Sequence, residues 1–131
     1  MVWAPNFSKG VFLFRKAMRT VQEVMAGHGY PLHVEEVHHI GKVDAPSGTA
    51  LSLVDDLRDG DAAEVPVRAG RIPGVPGTHS VVWEGEGDRI SLEHAAKNRS
   101  GFATGAVQCA EWLVRQTPPF DKIYSIEEVW G

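Results

Sequence analysis

The sequence has a single cysteine, so an internal disulfide is impossible and the chain suits a reducing compartment such as the cytoplasm. It has little excess charge: a net charge of −4 and the lack of any basic run argue against a nucleic-acid-binding surface. It also lacks an apolar run long enough to cross a membrane and the basic-then-apolar start of a signal peptide. No Gly-x-Gly-x-x-Gly turn for dinucleotide phosphates occurs. We therefore expect a cytoplasmic globular protein without membrane or nucleic-acid partners.

The chain is long enough for one globular domain. The 131 residues are 43% hydrophobic and 23% charged, which is sufficient for a single core. Apolar periodicity predicts helices over 10–25, 48–58 and 101–116, closed near 27–29, 59–61 and 117–119, with Ser8 capping the first. Alternation predicts strands over 32–37, 64–69, 79–83 and 89–95, and an apolar tail follows at 123–130. The pattern predicts an α+β fold, with helices on one face of an open mixed or antiparallel sheet.

Several expectations concern packing. Gly101 and Gly105 lie four residues apart on a helix, which predicts close approach of another backbone, most often that of a sheet. Cys109 is expected to be a buried structural thiol, and His94 a hydrogen-bonded core histidine on the face of its strand that carries Ile90 and Leu92. The buried side of the third helix is predicted to consist of Phe102, Ala106, Val107, Cys109, Ala110, Leu113 and Val114.

One stretch, residues 36–50 (EVHHIGKVDAPSGTA), concentrates the chemistry of the chain. It leads from a predicted strand through a turn, where Pro46 fixes its φ angle, to a predicted helix that Ser47 or Thr49 can cap. Free N–H groups and the positive dipole at a helix start favour an anion, and Lys42 and two histidines strengthen that preference. The stretch therefore predicts a site for a carboxylate or a phosphate.

The two adjacent histidines point to opposite faces while the strand persists, so they differ in role. One of His38 and His39 can exchange a proton near neutral pH while the other hydrogen-bonds the ligand. Two other interpretations remain: a solvated loop, and a structural zinc site, which is disfavoured because it needs about four ligands and Cys109 is remote. Asp44 is interpreted as a turn residue, since its charge would repel an anion.

The same stretch resembles the signature of dihydrodipicolinate reductase, a lysine-pathway family also called 4-hydroxy-tetrahydrodipicolinate reductase. Residues 4–11 (APNFSKGV) resemble its Asn-Phe-Ser-x-Gly hinge segment. Residues 68–70 (RAG) and 77–80 (GTHS) resemble its Arg-x-Gly…Gly-x-His-Thr region. Residues 94–106 (HAAKNRSGFATGA) resemble its closing His-x-Ala-x-x-Arg…Phe-x-x-Gly-Ala segment. The resemblance extends from about residue 4 to the last residue.

The resemblance implies a fold, a reaction and a set of site residues. The fold is the family's C-terminal domain, an open mixed sheet backed by helices, whose exposed face pairs with neighbouring subunits in a homotetramer. The reaction is hydride transfer from NADPH or NADH to a cyclic dicarboxylate. The implied site comprises catalytic His38 and Lys42, substrate-binding His39, Ser47, Gly48 and Thr49, and cofactor-binding Asn6 and Phe7, with no metal. For Phe7, packing against the first helix as a hydrophobic staple is an equally good interpretation.

By this resemblance, residues 1–131 are one substrate-binding and oligomerisation domain, residues 1–8 are its hinge segment, and the family's N-terminal Rossmann domain is absent. We expect such a chain to hold no dinucleotide and to be unable to transfer hydride alone. A second hypothesis is a stand-alone enzyme that uses His38 and Lys42 for cofactor-free dehydration or cyclisation of a small acid. A third is a non-catalytic carboxylate-binding scaffold, which the intact His-His-x-x-Lys motif disfavours.

Overall fold

The computed structural model describes residues 1–58, 64–117 and 122–131. Within these ranges none of the helices is both long and apolar enough to cross a bilayer. The predicted helix closures at 59–61 and 118–119 lie outside the described residues. The helices are α1 (Lys9–Met25), α2 (Gly48–Leu57), α3 (Ser100–Val114) and α4 (Ile126–Trp130), and the strands are β1 (Leu32–His38), β2 (Val67–Arg71), β3 (Thr78–Glu84) and β4 (Arg89–Ala95).

The strands form a mixed sheet in the order β2-β1-β3-β4. Strand β1 pairs in parallel with β2 and antiparallel with β3, and β3 pairs antiparallel with β4. The register places Glu36 opposite His79, and His79 opposite His94. On the other side of β1, His38 lies opposite Arg71 of β2. Cross-strand partners share a face of the sheet, so four strands bring chemically active side chains to one region.

Helices α1 and α2 cover this face, which confirms the predicted α+β architecture with helices on one side. Val34 of β1 and Val81 of β3 point inward and are fully buried. Trp83 is also buried, and its indole Nε1 donates a hydrogen bond to Gln22 Oε1 of α1 at 2.8 Å, which satisfies its only polar atom. The core consists of Phe14, Met18, Val34, Ala50, Leu53, Val54, Leu57, Val65, Val81 and Trp83.

A second, smaller cluster joins α3 and α4 to the start of the chain. Phe12, Cys109 and Ile126 are buried together there, with Phe7 and Trp130 packed against them. The rings of Phe12 and Trp130 lie 5.7 Å apart, centroid to centroid. The apolar tail therefore packs on the domain, and Cys109 is a buried thiol, both as predicted.

The predicted helix caps are present. The Ser8 side chain accepts a hydrogen bond from Val11 N at 3.3 Å and begins α1. Ser47, rather than Thr49, caps α2 by accepting from Ala50 N at 3.1 Å. Because each cap fixes where its helix begins, the start of α2 is set directly beside the end of β1.

The position of β2 differs from the prediction. Residues 64–69 were expected to form it, whereas the strand covers Val67–Arg71. The reason is Pro66, which has no N–H to donate to a ladder and contributes only its carbonyl, accepting from Val34 N at 2.9 Å. The strand therefore starts after the proline and extends to Arg71, next to the end of β1.

The predicted buried side of α3 was also largely wrong. Among the described residues, only Gly105 and Cys109 of this helix are buried. Val107 and Val114 are 57% and 77% exposed. Helix α3 contacts α1 and α4 through its small buried residues. Phe102, Trp112 and Leu113 are only half-buried, and the ring of Trp112 meets that of Tyr124 with centroids 5.2 Å apart.

The close approach predicted from the two glycines occurs at Gly105 alone, and its partner is not the sheet. A Cβ added at Gly105 would lie 1.6 Å from the carbonyl oxygen of Phe7, whereas one added at Gly101 would lie 4.0 Å from Ser8 Oγ. Gly105 thus allows α3 to pack directly on the backbone at residue 7, which lines the cleft described below.

We predict that Gly105→Ala lowers the free energy of unfolding by about 2 kcal/mol or more, because overpacking outweighs the gain of about 1 kcal/mol in helix propensity. Gly101→Ala is the matched control and is expected to leave stability unchanged or raise it slightly. Urea unfolding of the two variants and the wild type measures the difference. Equal midpoints for Gly105→Ala and the wild type would contradict this packing.

Candidate active site

A cleft of about 670 Å³ opens where β1 ends and α2 begins. Helix α3 and the segment before α1 contribute to its walls through Phe102 and Ala106, and through Pro5. The sequence brings these segments together because β1 leads through a short loop into the capped α2. All eight residues predicted for the site line the cleft: Asn6, Phe7, His38, His39, Lys42, Ser47, Gly48 and Thr49. Their individual roles stay predictions.

The turn into α2 is held by a buried carboxylate, Glu36, whose side chain is 0% exposed. Glu36 Oε1 accepts from Ser47 N at 3.0 Å, and the Ser47 hydroxyl donates a short hydrogen bond to Oε2. Ser47 Oγ also lies 3.2 Å from His79 Nε2. The hydroxyl is therefore engaged with the cap, the carboxylate and the histidine, and it holds the turn in place.

Two histidines lie against this carboxylate. His79 Nε2 is 3.5 Å and His38 Nδ1 is 3.8 Å from Glu36 Oε2, and the two rings meet edge to face with centroids 5.0 Å apart. Burial lowers the pKa of His79 to about 4, with the nearby His38 acting in the same direction. Burial also lowers the pKa of His38, against the opposing effect of Glu36. Both rings are therefore neutral at neutral pH.

Cationic side chains surround the mouth of the cleft. Lys42 Nζ lies 3.0 Å from Asp44 Oδ1, and this hydrogen bond lowers the pKa of the Asp44 carboxyl. Arg99 Nη2 lies 3.2 Å from His39 Nε2, which joins the start of α3 to the loop after β1. Gly48 and Thr49 provide the first-turn N–H groups of α2. This arrangement attracts an anion with more than one acceptor group.

Arg71 at the end of β2 holds the same loop from behind. Its guanidinium donates from Nη2 to the Asp44 carbonyl at 2.6 Å and from Nε to the Lys42 carbonyl at 3.3 Å. Nη1 lies 3.9 Å from Glu36 Oε1. Arg71 therefore fixes the loop that carries Lys42 and places positive charge beside the buried carboxylate. Asp44 acts within the turn, in agreement with its interpretation as a turn residue.

The segment before α1 is tied to the same site. Asn6 Nδ2 donates to Thr49 Oγ1 at 3.0 Å, and Asn6 Oδ1 accepts from Ser8 N at 2.8 Å. Phe7 both lines the cleft and packs on the second cluster, so its two sequence interpretations are compatible. Asn6, which was expected to contact a cofactor, is thus in direct contact with Thr49, which was expected to bind a substrate.

Sequence reasoning missed five residues of the site or its support: Glu36, Arg71, His79, His94 and Arg99. Glu36, His79, His94 and Arg99 all belong to the quoted motifs, but no local pattern assigns them a role in the site. Arg71 and His79 reach the site only through strand pairing. That pairing, rather than any spacing along the chain, is the signal that would have found them.

The interpretation of His94 as a hydrogen-bonded core residue is wrong in one respect. His94 does share the inward face of β4, but it lines the cleft and its buried Nδ1 has no hydrogen-bond partner within the described ranges. Burial lowers its pKa. His94 is therefore a neutral histidine at the wall of the cleft.

Glu36, His38 and His79 also form a group whose possible metal-ligand atoms lie within 4.8 Å of one another. The carboxylate already accepts two hydrogen bonds from Ser47, and Arg71 and Lys42 both place positive charge near the group. Those charges oppose a cation. The arrangement fits a hydrogen-bonded network better than a metal centre.

Chemically, the cleft combines an anion-binding surface with an imidazole that can exchange a proton. Lys42, Arg99 and the start of α2 supply the positive charge, and His38 supplies the titratable group beside it. Such a combination suits a carboxylate-bearing ligand that gains or loses a proton during reaction.

Comparison with known proteins gives a consistent result. The family description "Dihydrodipicolinate reductase, C-terminus" matches residues 10–130. A 4-hydroxy-tetrahydrodipicolinate reductase of Christiangramia forsetii is 39% identical over 132 aligned positions, covering 91% of this chain and 55% of that relative. One from Methanosarcina barkeri is 37% identical over 145 positions, covering 99% and 53%. The chain thus spans about half the length of the curated relatives it matches.

A solved structure shares the fold. It is described as a dipicolinate-bound dihydrodipicolinate reductase from Paenisporosarcina sp. TG-14, with a TM-score of 0.67 and 23% sequence identity. The match covers 95% of this chain and 52% of that one. At this identity the match establishes the fold, while the family match and the curated relatives establish the kinship. The chain belongs to the dihydrodipicolinate reductase family and corresponds to its C-terminal part.

Proposed function

We propose that this chain is the substrate-binding part of a 4-hydroxy-tetrahydrodipicolinate reductase and that its cleft binds a ring dicarboxylate. The observation that carries the proposal is the convergence of Lys42, Arg99 and the first turn of α2 on one cleft beside His38. Two carboxylates on a planar ring need two separate groups of donors. The relatives' names and the dipicolinate-bound neighbour support the same class of ligand.

Within this proposal the two carboxylates have distinct partners. One lies at the start of α2, where the N–H groups of Gly48 and Thr49 and the helix dipole favour negative charge. The other is bound by Lys42 together with Arg99 and His39. Ser47 contributes by holding the turn rather than by presenting a free hydroxyl, because that hydroxyl already bonds to Glu36.

His38 is the proton donor in this assignment. Reduction adds a hydride to one carbon of the unsaturated ring and a proton to a neighbouring atom, so a donor is needed next to the bound ring. The negative charge of a bound dicarboxylate favours the imidazolium form of His38, which raises its pKa from the lowered value of the empty cleft. Lys42 stabilises the charge that develops on the ring during the transfer.

A nicotinamide dinucleotide supplies the hydride in this reaction. Asn6 and Phe7 offer an amide and an aromatic ring at the wall of the cleft, which suits contact with a nicotinamide ring. The described residues offer no glycine-rich turn to hold the phosphates of a dinucleotide. We therefore assign phosphate binding to the part of the longer relatives that this chain does not match.

Titration calorimetry with pyridine-2,6-dicarboxylate tests the binding site. We expect Lys42→Met and Arg99→Gln each to weaken binding by about 10-fold or more, since a hydrogen bond to a charged group contributes about 1.5–3 kcal/mol. Arg89→Gln, which removes an exposed cation of β4 outside the cleft, is the matched control and should bind as the wild type does. Unchanged affinity in both cleft variants would contradict the proposal.

The face of the sheet opposite α1 and α2 is proposed as the interface of a homotetramer. It presents polar groups, among them Ser80, whose hydroxyl donates to Glu93 Oε2 at 3.2 Å, and the pair Arg68 and Glu35, whose charged atoms lie 3.8 Å apart. Ser91 is exposed on the same face of β4.

Light scattering measures the assembly. We expect a mass four times the 14.3 kDa of the chain for the wild type and a smaller mass for Ser91→Arg, because buried arginines at the interface would lack partners. Thr20→Arg, on the exposed side of α1, is the control and should keep the wild-type mass. A wild-type chain that is monomeric at micromolar concentration would contradict the proposed interface.

A further inference from the structure

The proposed proton donor, His38, stands next to a carboxylate that the proposed function leaves without a task. Glu36 precedes His38 by two residues in β1, so both side chains project from the same face of the strand. The Glu36 side chain is completely buried, and an isolated buried carboxylate is strongly disfavoured. The hydrogen bonds from Ser47 and the positive charge of Arg71 offset the cost of burying it.

His38, in turn, has a buried polar atom that lacks a hydrogen-bond partner within the described residues. The residue is 7% exposed, and the atom in question is its ring nitrogen Nδ1. The nearest carboxylate oxygen to it is Glu36 Oε2, at 3.8 Å. A buried ring nitrogen without a partner is unfavourable, so a small rotation that brings Nδ1–H onto this oxygen is favoured.

The other ring nitrogen, Nε2, lies beside Gly77 at the wall of the cleft, which His38 also lines. A Cβ added at Gly77 would lie 3.1 Å from His38 Nε2, and Gly77 is one of the residues that line the cleft. The ring therefore lies between two environments, with Nδ1 towards a fixed carboxylate and Nε2 towards the space where a ligand binds.

We propose that Glu36 is the positioning residue of His38: it accepts the Nδ1–H, keeps Nε2 directed into the cleft, and stabilises the imidazolium that donates a proton there. When His38 donates, the Nε2–H bond breaks and the proton joins the ring of the substrate. The remaining proton stays on Nδ1, bound to Glu36, and water returns a proton to Nε2 after product release. This inference depends on the proposed function only for the identity of the proton acceptor.

The carboxylate is itself held in position from three sides. Ser47 fixes it from the start of α2, His79 approaches the same oxygen from β3, and Arg71 lies beside the other oxygen from β2. A carboxylate held in this way cannot turn away from His38 without breaking its hydrogen bonds to Ser47, the residue that caps α2. The helix start that binds the ligand and the acid that protonates it are therefore positioned by one group.

Other charges also act on His38. Lys42 and Arg71 oppose its protonation, and Asp44 favours it, from the loop and from β2. His79 faces it from β3 and is neutral near pH 7. Of the two carboxylates, Asp44 is exposed, so Glu36 is the only one of them that is buried beside the ring.

Nitrogen NMR on the chain with ¹⁵N-labelled histidine tests the proposal without any ligand. At pH 8 we expect the wild-type His38 to carry its proton on Nδ1. In Glu36→Gln, which keeps the side-chain shape but removes the charge, the pKa of His38 should fall by about one unit or more. Glu35→Gln is the matched control, because Glu35 is the preceding residue in β1, is partly exposed, and points to the opposite face. It should leave the pKa of His38 unchanged.

A wild-type His38 with its proton on Nε2 at pH 8 would overturn the proposal, as would an equal pKa in Glu36→Gln and the wild type. If Glu36→Gln does not fold, Glu36→Asp retains the charge one methylene further away, and the wild-type tautomer still decides the question. Addition of zinc to the wild type is a further test. If zinc binds and the nitrogen signals of the free His38 and His79 rings disappear, the group is a metal site instead. Failure of dicarboxylate binding would reject the proposed function and leave the tautomer result standing.

Discussion

The burial of one charged group, the carboxylate of Glu36, determines how the cleft of this domain is built. A buried carboxylate requires donors, and here they come from the turn that starts α2. Because Ser47 both binds Glu36 and caps the helix, the end of β1 and the start of α2 are fixed to each other. The loop between β1 and α2 therefore has little conformational freedom, and Lys42 and His39 occupy defined positions at the mouth of the cleft.

The remaining charges follow from that arrangement. Arg71 compensates the buried carboxylate and holds the backbone of the loop, while Lys42 and Arg99 are left at the cleft. The charge of Glu36 is thus compensated behind the turn by Arg71, while Lys42 and Arg99 place positive charge on the open side of the turn. This distribution of charge favours the proposed anionic ligand, because the internal carboxylate is already compensated.

Much of this could be predicted from the sequence because the necessary signals are local. The alternation in residues 32–37 and the Ser-Gly-Thr turn at 47–49 locate a strand, a cap and a helix start within a few residues of one another, and the structure confirms all three. Pro66 displaced β2 by two to three residues, an effect that its missing N–H explains. The eight predicted site residues all line one cleft.

The rest depends on contacts between distant parts of the chain. His79 and Arg71 join the site through the pairing of β3 and β2 with β1, which no spacing along the sequence encodes. The apolar residues of α3 gave the wrong buried face, because hydrophobicity alone does not reveal which side finds a partner. Gly105 was recognised as a point of close approach, but its partner, the backbone of Phe7, lies almost a hundred residues earlier.

The start of α2, Lys42 and Arg99 are proposed to bind a dicarboxylate together. Amide NMR of the ¹⁵N-labelled chain during titration with pyridine-2,6-dicarboxylate tests it most directly. The account predicts that the largest shifts fall on Gly48, Thr49, Lys42 and Arg99, and that pyridine-2-carboxylate, with one carboxylate, binds more weakly. Shifts confined to residues outside the cleft, or equal affinity for the two compounds, would contradict it.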